Sequence, residues 1–271
     1  MFTAHIRETD NACQSVGQHS RNVSALAEGY LRPVSLSQVG RLAGLLHDAG
    51  KLRQLFDDYI HKRNSLTRGS IDHSYAGARI LRELAKNGDK QLQTAAEAVG
   101  HTILSHHGLN DWLDPDGESV FRRRTDKDEG FDEIMGNLSE VCTMAEAEEL
   151  LATAKAEWFQ AAKKLMCQNK EEFTFYMGML ERLIQSALID ADRTDTADFM
   201  SAGETPPEPD NSALWQTMDQ RMEEKLRGFS HLTDKISIQR RSISDRCAEF
   251  AGHRVGACRL IVPTGGGKTL S

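Results

Sequence analysis

The sequence predicts an all-α domain over positions 1–200. Three observations carry that expectation. Apolar residues recur at helical spacing through nearly the whole stretch. Two long runs, Glu140 to Gln168 and Glu171 to Asp192, are rich in good helix formers. Alternating β-branched residues are almost absent.

Taken in order, Val16, Val23 and Leu26 share a helical face with His19. Val39, Leu42, Ala43 and Leu46 repeat that spacing just before His47, and Tyr75, Ala76, Ile80, Leu81 and Leu84 continue it after His73. Ala95, Ala98, Val99, Thr102 and Ile103 lead into His106, and Phe175, Met179, Leu183 and Leu188 form one later stripe. Gly108 to Asn137 interrupts the pattern with Pro115, Gly117, Gly130, Gly136 and many charges, and reads as a loop or mobile insertion. Positions 201–212, with three prolines and little to bury, read as a linker. Two helices are expected beyond it, about Ala213 to Gly228 and Asp234 to Ala251, followed by a short buried strand over Cys258 to Val262. The expected organisation is a domain at 1–200, a linker at 201–212 and the start of a second domain at 213–271.

Composition bounds the function. The chain has 271 residues, 39% hydrophobic and 27% charged, enough for a sizeable core. It contains no run of about 18 apolar residues and no basic-then-apolar leader, so a cytoplasmic protein without a membrane partner is expected. Five cysteines at wide spacing, with no CxxC pair, argue for reduced and mostly buried thiols rather than a disulfide framework or zinc ribbon. The net charge of −7, from 33 basic and 40 acidic side chains, disfavours gripping duplex DNA by surface electrostatics alone. It is compatible with a nucleic-acid enzyme whose bound cations supply local positive charge.

The chemistry centres on His47-Asp48, within Leu45-Leu46-His47-Asp48-Ala49-Gly50-Lys51. A carboxylate can bridge two divalent ions through its two oxygens, and imidazole suits transition metals. Lys51, one turn after His47, is placed to hold a substrate phosphate. An isolated His-Asp pair carries little; the company it keeps carries more. His19, His73, His106, His107 and Asp192 each lie near an apolar helical face, where an unpartnered polar group is costly. His5, His61, His231 and His253 are read as ordinary hydrogen-bonded histidines, and His101 as support behind a ligand. Asp190 is a rival for the role of Asp192; Asp195 and Asp198 are read as solvated. Arg122-Arg123-Arg124, and equally Arg240-Arg241, are read as solvated charge runs, with DNA-backbone contact as the alternative. Aromatic residues are too few to suggest a stacking platform for bases.

These motifs resemble the HD phosphohydrolase superfamily and, more narrowly, the HD nuclease domain of the CRISPR-associated nuclease–helicase of type I systems. The matching pieces are Gln18-His19-Ser20, Leu46-His47-Asp48-Ala49-Gly50-Lys51, Asp72-His73-Ser74, Ser105-His106-His107-Gly108 and Asp190-Ala191-Asp192-Arg193-Thr194-Asp195. The resemblance implies a helical bundle around two divalent ions, Mn, Co, Ni, Fe or Mg. His19, His47, Asp48 and Asp192 would hold one ion, and Asp48 would bridge to a second held by His73, His106 and His107. His47, Asp48 and Lys51 would form the catalytic core. The implied substrate is single-stranded DNA, and the implied partners are the RNA-guided surveillance complex of a type I system and a helicase domain in cis.

Pro263-Thr264-Gly265-Gly266-Gly267-Lys268-Thr269 matches a helicase-type phosphate loop. Glycines let backbone N–H groups wrap a phosphate, Lys268 reaches the outer phosphates and Thr269 ligates Mg²⁺. Val262 replaces the first glycine of the strict pattern, a change superfamily-two helicases tolerate. The chain therefore reads as an N-terminal piece of a nuclease–helicase, ending at the start of an α/β helicase domain. ATP is expected only in the full-length helicase, and this piece is not expected to hydrolyse it. Two other readings compete: an HD phosphohydrolase acting on small nucleotides, and a catalytically silent HD docking module.

Overall fold

The computed structural model describes residues 1–67, 69–202, 211–253 and 259–266. The chain divides into two compact units, Met1–Thr205 and Pro206–Ser271. The first unit is mostly helical, as its periodicity predicts, with one small sheet. Strands β1 (Thr3–Ile6) and β2 (Cys13–Ser15) pair antiparallel. Helices α1 (Val16–Leu31), α2 (Ser37–Leu46), α3 (Gln54–Ile60), α4 (Tyr75–Ala85) and α5 (Lys90–Leu104) follow. Then come α6 (Val120–Thr125), α7 (Phe131–Asn137), α8 (Met144–Leu165) and α9 (Lys170–Met200).

Helix starts follow local chemistry. The side chains of Ser15, Asp89, Ser119, Thr143 and Asn169 each accept from a first-turn N–H, capping α1, α5, α6, α8 and α9. The predicted apolar faces then meet. α1 packs on α2 and α9, α4 on α5, and α2 and α5 on α8. Val23, Leu42, Leu46, Leu81, Ile103 and Leu138 are fully buried in the resulting core. Burying a side chain of this size contributes about 1.5–3 kcal/mol.

Four expectations are corrected. Gly108 to Asn137 is not a featureless loop: it contains α6 and α7, anchored by buried Val120, Phe121, Phe131 and Ile134. Arg122 and Arg123 are exposed, as a solvated run would be, with Arg123 paired to Asp114, whereas Arg124 is partly buried and bonds Asp72 and Ser74. On α9, Phe175, Met179 and Leu183 face solvent while Leu188 is buried, so the apolar stripe is only partly core. Arg259 to Val262 forms no strand and Leu260 and Ile261 are exposed, because among the described residues no neighbouring strand takes up its backbone groups. The thiols are not mostly buried: Cys13 is exposed, Cys142 buried, and Cys167 and Cys247 in between. Cys258 lies outside the described residues.

The second unit contains α10 (Asn211–Gly228) and α11 (Lys235–Phe250), close to the expected spans, with no buried residue on either. Arg241 donates to the carbonyls of Ser230 and Leu232 in the intervening turn. No described helix is long and apolar enough to cross a membrane.

Candidate metal centre

Five elements deliver the histidines and aspartates to one point in the first unit. His19 lies on α1, His47 caps the end of α2, and Asp48 follows before the 3-10 turn Ala49–Lys51. His73 lies in the loop that enters α4, His106 and His107 follow α5, and Asp192 and Asp195 lie on α9. Two glycines permit this convergence. A Cβ on Gly50 would overlap the His73 carbonyl, and one on Gly77 would overlap the carbonyl of Leu46 beside His47.

The tautomers follow from what each Nδ1 meets. His47 Nδ1 donates to the Gly44 carbonyl at 2.8 Å, and His106 Nδ1 donates to the Ile103 carbonyl at 2.6 Å. His73 Nδ1 donates to the Ile71 carbonyl at 3.3 Å, and His19 Nδ1 donates to Asp195 Oδ2 at 2.6 Å. Carbonyls and carboxylates only accept, so the Nδ1 proton is fixed, and each Nε2 has a lone pair to turn inward once the ring carries no second proton. That is the arrangement of metal-ligating imidazoles, oriented from behind by an acceptor.

Asp48 is the hub. Its Oδ2 lies 3.4 Å from His19 Nε2 and 3.3 Å from His47 Nε2, while Oδ1 lies 3.5 Å from His73 Nε2 and 3.8 Å from His106 Nε2. Each carboxylate oxygen thus faces its own pair of histidines. Asp192 Oδ1 joins the first pair, 3.2 Å from His19 Nε2 and 3.9 Å from His47 Nε2. His107 joins the second, with its Nε2 2.6 Å from that of His73. Lys51 Nζ contacts Asp48 Oδ2 at 2.6 Å from a buried position.

The donor atoms test whether divalent ions fit here. Asp48 Oδ1 and the Nε2 atoms of His19, His47 and His106 are buried and make no hydrogen bond, although carboxylates lie within ion-pairing distance. The contacts are too oblique or too long to satisfy them. Orphaned buried groups of this kind are costly unless something else is bound. The candidate ligand atoms of Asp48, His73, His106 and His107 lie within 4.8 Å of one another, as do those of His19, His47 and Asp48. Mixed imidazole and carboxylate donors suit divalent transition ions, and the residues fit.

Electrostatics point the same way. Burial pushes His106 down to about 3, with the charge of His47 adding to it. Burial likewise pushes His73 down to about 4 and lowers His107, leaving neutral imidazoles. Burial opposes ionisation of Asp48, but Lys51 and His47 outweigh it and hold the carboxyl well below the usual range. For His19 burial is likewise outweighed: Asp192, Asp195 and Asp48 push it up to about 10. A cation bound among these carboxylates would displace that proton.

All seven residues His19, His47, Asp48, His73, His106, His107 and Asp192 meet at the centre, with Lys51 beside them. Asp190 is exposed and away from the ligand cluster. Asp195 is not solvated: it is buried and accepts from His19, from Gln14 at 2.7 Å and from Asn22 at 2.7 Å. Its spacing of three from Asp192 on one helix was the available signal. His5 has a hydrogen-bonding contact with Thr196 Oγ1, and it also lies within 4.8 Å of candidate ligand atoms of His19 and Asp192. His101 stacks on Trp112, centroids 4.9 Å apart, and supports the loop after His107 rather than a ligand. Asp72 accepts from Arg124 and Lys127, tying the His73 loop to α6 and the segment after it. At the C-terminal motif, Gly266 N donates to the Pro263 carbonyl across a turn in which Gly265 has φ +85°. Gly267, Lys268 and Thr269 lie outside the described residues.

A helical bundle that converges histidines on a central buried aspartate fits a class, the metal-dependent phosphohydrolases. Residues 16–195 match the HD domain family, and the chain belongs to that family. HD domains are generally metal-dependent hydrolases. No curated protein matches the chain.

Proposed function

We propose that this chain is a two-metal phosphodiesterase that cuts single-stranded DNA, the nuclease part of a type I CRISPR nuclease–helicase. The observation that carries the two-metal reading is Asp48, whose two oxygens face two separate groups of histidines, with the buried Nε2 atoms of His19, His47 and His106 left without a hydrogen bond. His19, His47, Asp48 and Asp192 would hold one ion, and Asp48, His73, His106 and His107 the other. When bound, such ions lower the pKa of water and offset charge on the attacked phosphate.

The protein's own part is to orient and to exclude. Backbone carbonyls and Asp195 fix the imidazole tautomers before substrate arrives. The buried walls around Asp48 keep bulk water from weakening the local field. Lys51 balances Asp48 and brings an ammonium to where a phosphate would sit. The DNA reading rests on the resemblance of the five motifs and on the phosphate-loop sequence at 263–269. The surveillance complex, and a helicase domain that uses ATP in cis, are the partners this reading entails.

The experiment is digestion of matched single-stranded and duplex oligonucleotides, and of free nucleotides, by chelator-stripped protein given Mn²⁺, Co²⁺, Ni²⁺, Fe²⁺ or Mg²⁺. Metal-dependent cutting of the single strand is expected. Preference for duplex refutes the substrate; turnover of free nucleotides alone points to a small-nucleotide enzyme. No reaction with any metal by folded protein leaves the docking module.

A further inference from the structure

We propose that His5, on the N-terminal hairpin, is a further metal ligand on the His19–Asp192 side of the centre. This rests on the metal-centre reading above but extends its ligand set by a residue that none of the five motifs contains.

Four observations converge. A ring nitrogen of His5 and ligand atoms of His19 and Asp192 lie within 4.8 Å of one another. Ligand atoms on opposite sides of one ion are about 4 Å apart, given metal–nitrogen bonds near 2.1 Å, so a sub-ångström closure brings all three onto one ion. The ring stands edge-on to that of His19, at 83° with centroids 4.6 Å apart. The strand pairing is irregular between Thr3 and His5, where Thr3 faces Ser15 and His5 faces Gln14. Bulges re-aim side chains and are frequent beside active sites; here regular alternation is broken at the one histidine of the strand. The hairpin is also fastened where the site needs it. Arg7, just after β1, donates to the Phe199 carbonyl at 2.6 Å, and Gln14 of β2 donates to Asp195, one turn from Asp192, at 2.7 Å, so the hairpin is tied to α9.

The alternative is a histidine held for packing alone. Among the described residues its hydrogen-bonding contact is Thr196 Oγ1, 3.3 Å from Nε2, a long bond. With His5 included, this half of the centre offers three imidazoles, from His5, His19 and His47, and two carboxylates, from Asp48 and Asp192. Such a nitrogen-rich set favours divalent transition ions over Mg²⁺.

The test uses the full chain, stripped with chelator and titrated with Co²⁺ by calorimetry and visible absorption, for the wild type and His5→Gln. The wild type is expected to bind two ions. His5→Gln is expected to weaken one of them at least about tenfold and to change the Co²⁺ absorption band. A second measurement needs no variant: in ¹⁵N-histidine protein loaded with ¹¹³Cd²⁺, His5 is expected to show one-bond coupling to cadmium. Two bound ions with no coupling at His5, and unchanged affinities in a folded His5→Gln, overturn this proposal alone. No binding of either ion by the wild type overturns the metal centre and the His5 proposal together.

Discussion

Asp48→Asn tests the burial of the central ion pair before any metal is added. Asp48 and Lys51 are 2% and 8% exposed at their side chains and meet at 2.6 Å. Neutralising one partner of such a pair leaves the other charge buried without compensation, a loss of about 3–5 kcal/mol. The new amide still offers an acceptor to Lys51, which places the cost near the lower end, about 3 kcal/mol. For a unit of this size that lowers the melting temperature by roughly 6–12 °C. Lys51→Met in the Asp48→Asn background removes the stranded ammonium and is expected to restore about 2 kcal/mol. The assay is thermal and urea unfolding in chelator, followed by far-ultraviolet circular dichroism and by tryptophan fluorescence, to which Trp158, buried in the helical core, contributes. A metal-free Asp48→Asn protein as stable as wild type, with no coupling to Lys51→Met, refutes the reasoning. The result also bears on activity, since loss of cleavage in this variant informs on chemistry only where the protein remains folded.

Asp195→Asn, which removes the charge that orients His19, is expected to weaken binding of the neighbouring ion roughly 10–100-fold with the helical spectrum kept; calorimetry that finds affinity within twofold contradicts it. Gly50→Ala forces the 3-10 turn away from the His73 carbonyl. It is expected to destabilise by roughly 1–3 kcal/mol and to weaken the ion on the His73 side, read by unfolding and metal titration; a neutral outcome shows that the close approach is not required. Glu181 is pushed up to about 7 by burial, against the hydrogen bond from Trp112. Its folded state holds the extra proton between the ordinary value of 4.5 and 7, so stability falls as pH rises through that window. Glu181→Gln is expected to flatten the slope and to exceed wild type above pH 7 by at most about 3 kcal/mol. Parallel pH profiles for the two proteins exclude this.

Helical spacing made most of the first unit legible, because a buried stripe repeats every three to four residues and α1, α2, α4 and α5 each span at least ten. His19 lies on one of these helices and His47, His73, His106 and His107 lie just beyond their ends, so their company could be read from the sequence, while their grouping with Asp48 and Asp192 into two ligand sets came from the family resemblance. Short elements were not. β1 and β2 have four and three residues, too few for alternation to register, and the hairpin hid His5. α6 and α7, at six and seven residues, were masked by the glycines and charges around them, although Ser119 caps the first and Phe131 anchors the second. Asp195 was missed because an aspartate near a helix end looks solvated until its partners Gln14, His19 and Asn22 are brought in from elements far away in sequence. The stripe of Phe175, Met179 and Leu183 shows the converse, since periodicity marks a face without saying which side it presents.

The central claim is that Asp48 joins two groups of histidines into a centre for two ions. Equilibrium dialysis of the chelator-stripped chain against Mn²⁺, with bound metal counted by elemental analysis, tests it most directly. The account predicts two ions per wild-type chain and loss of both sites' tight binding in folded Asp48→Ala. Wild-type protein that retains no metal, or a folded Asp48→Ala that still holds two ions, contradicts it.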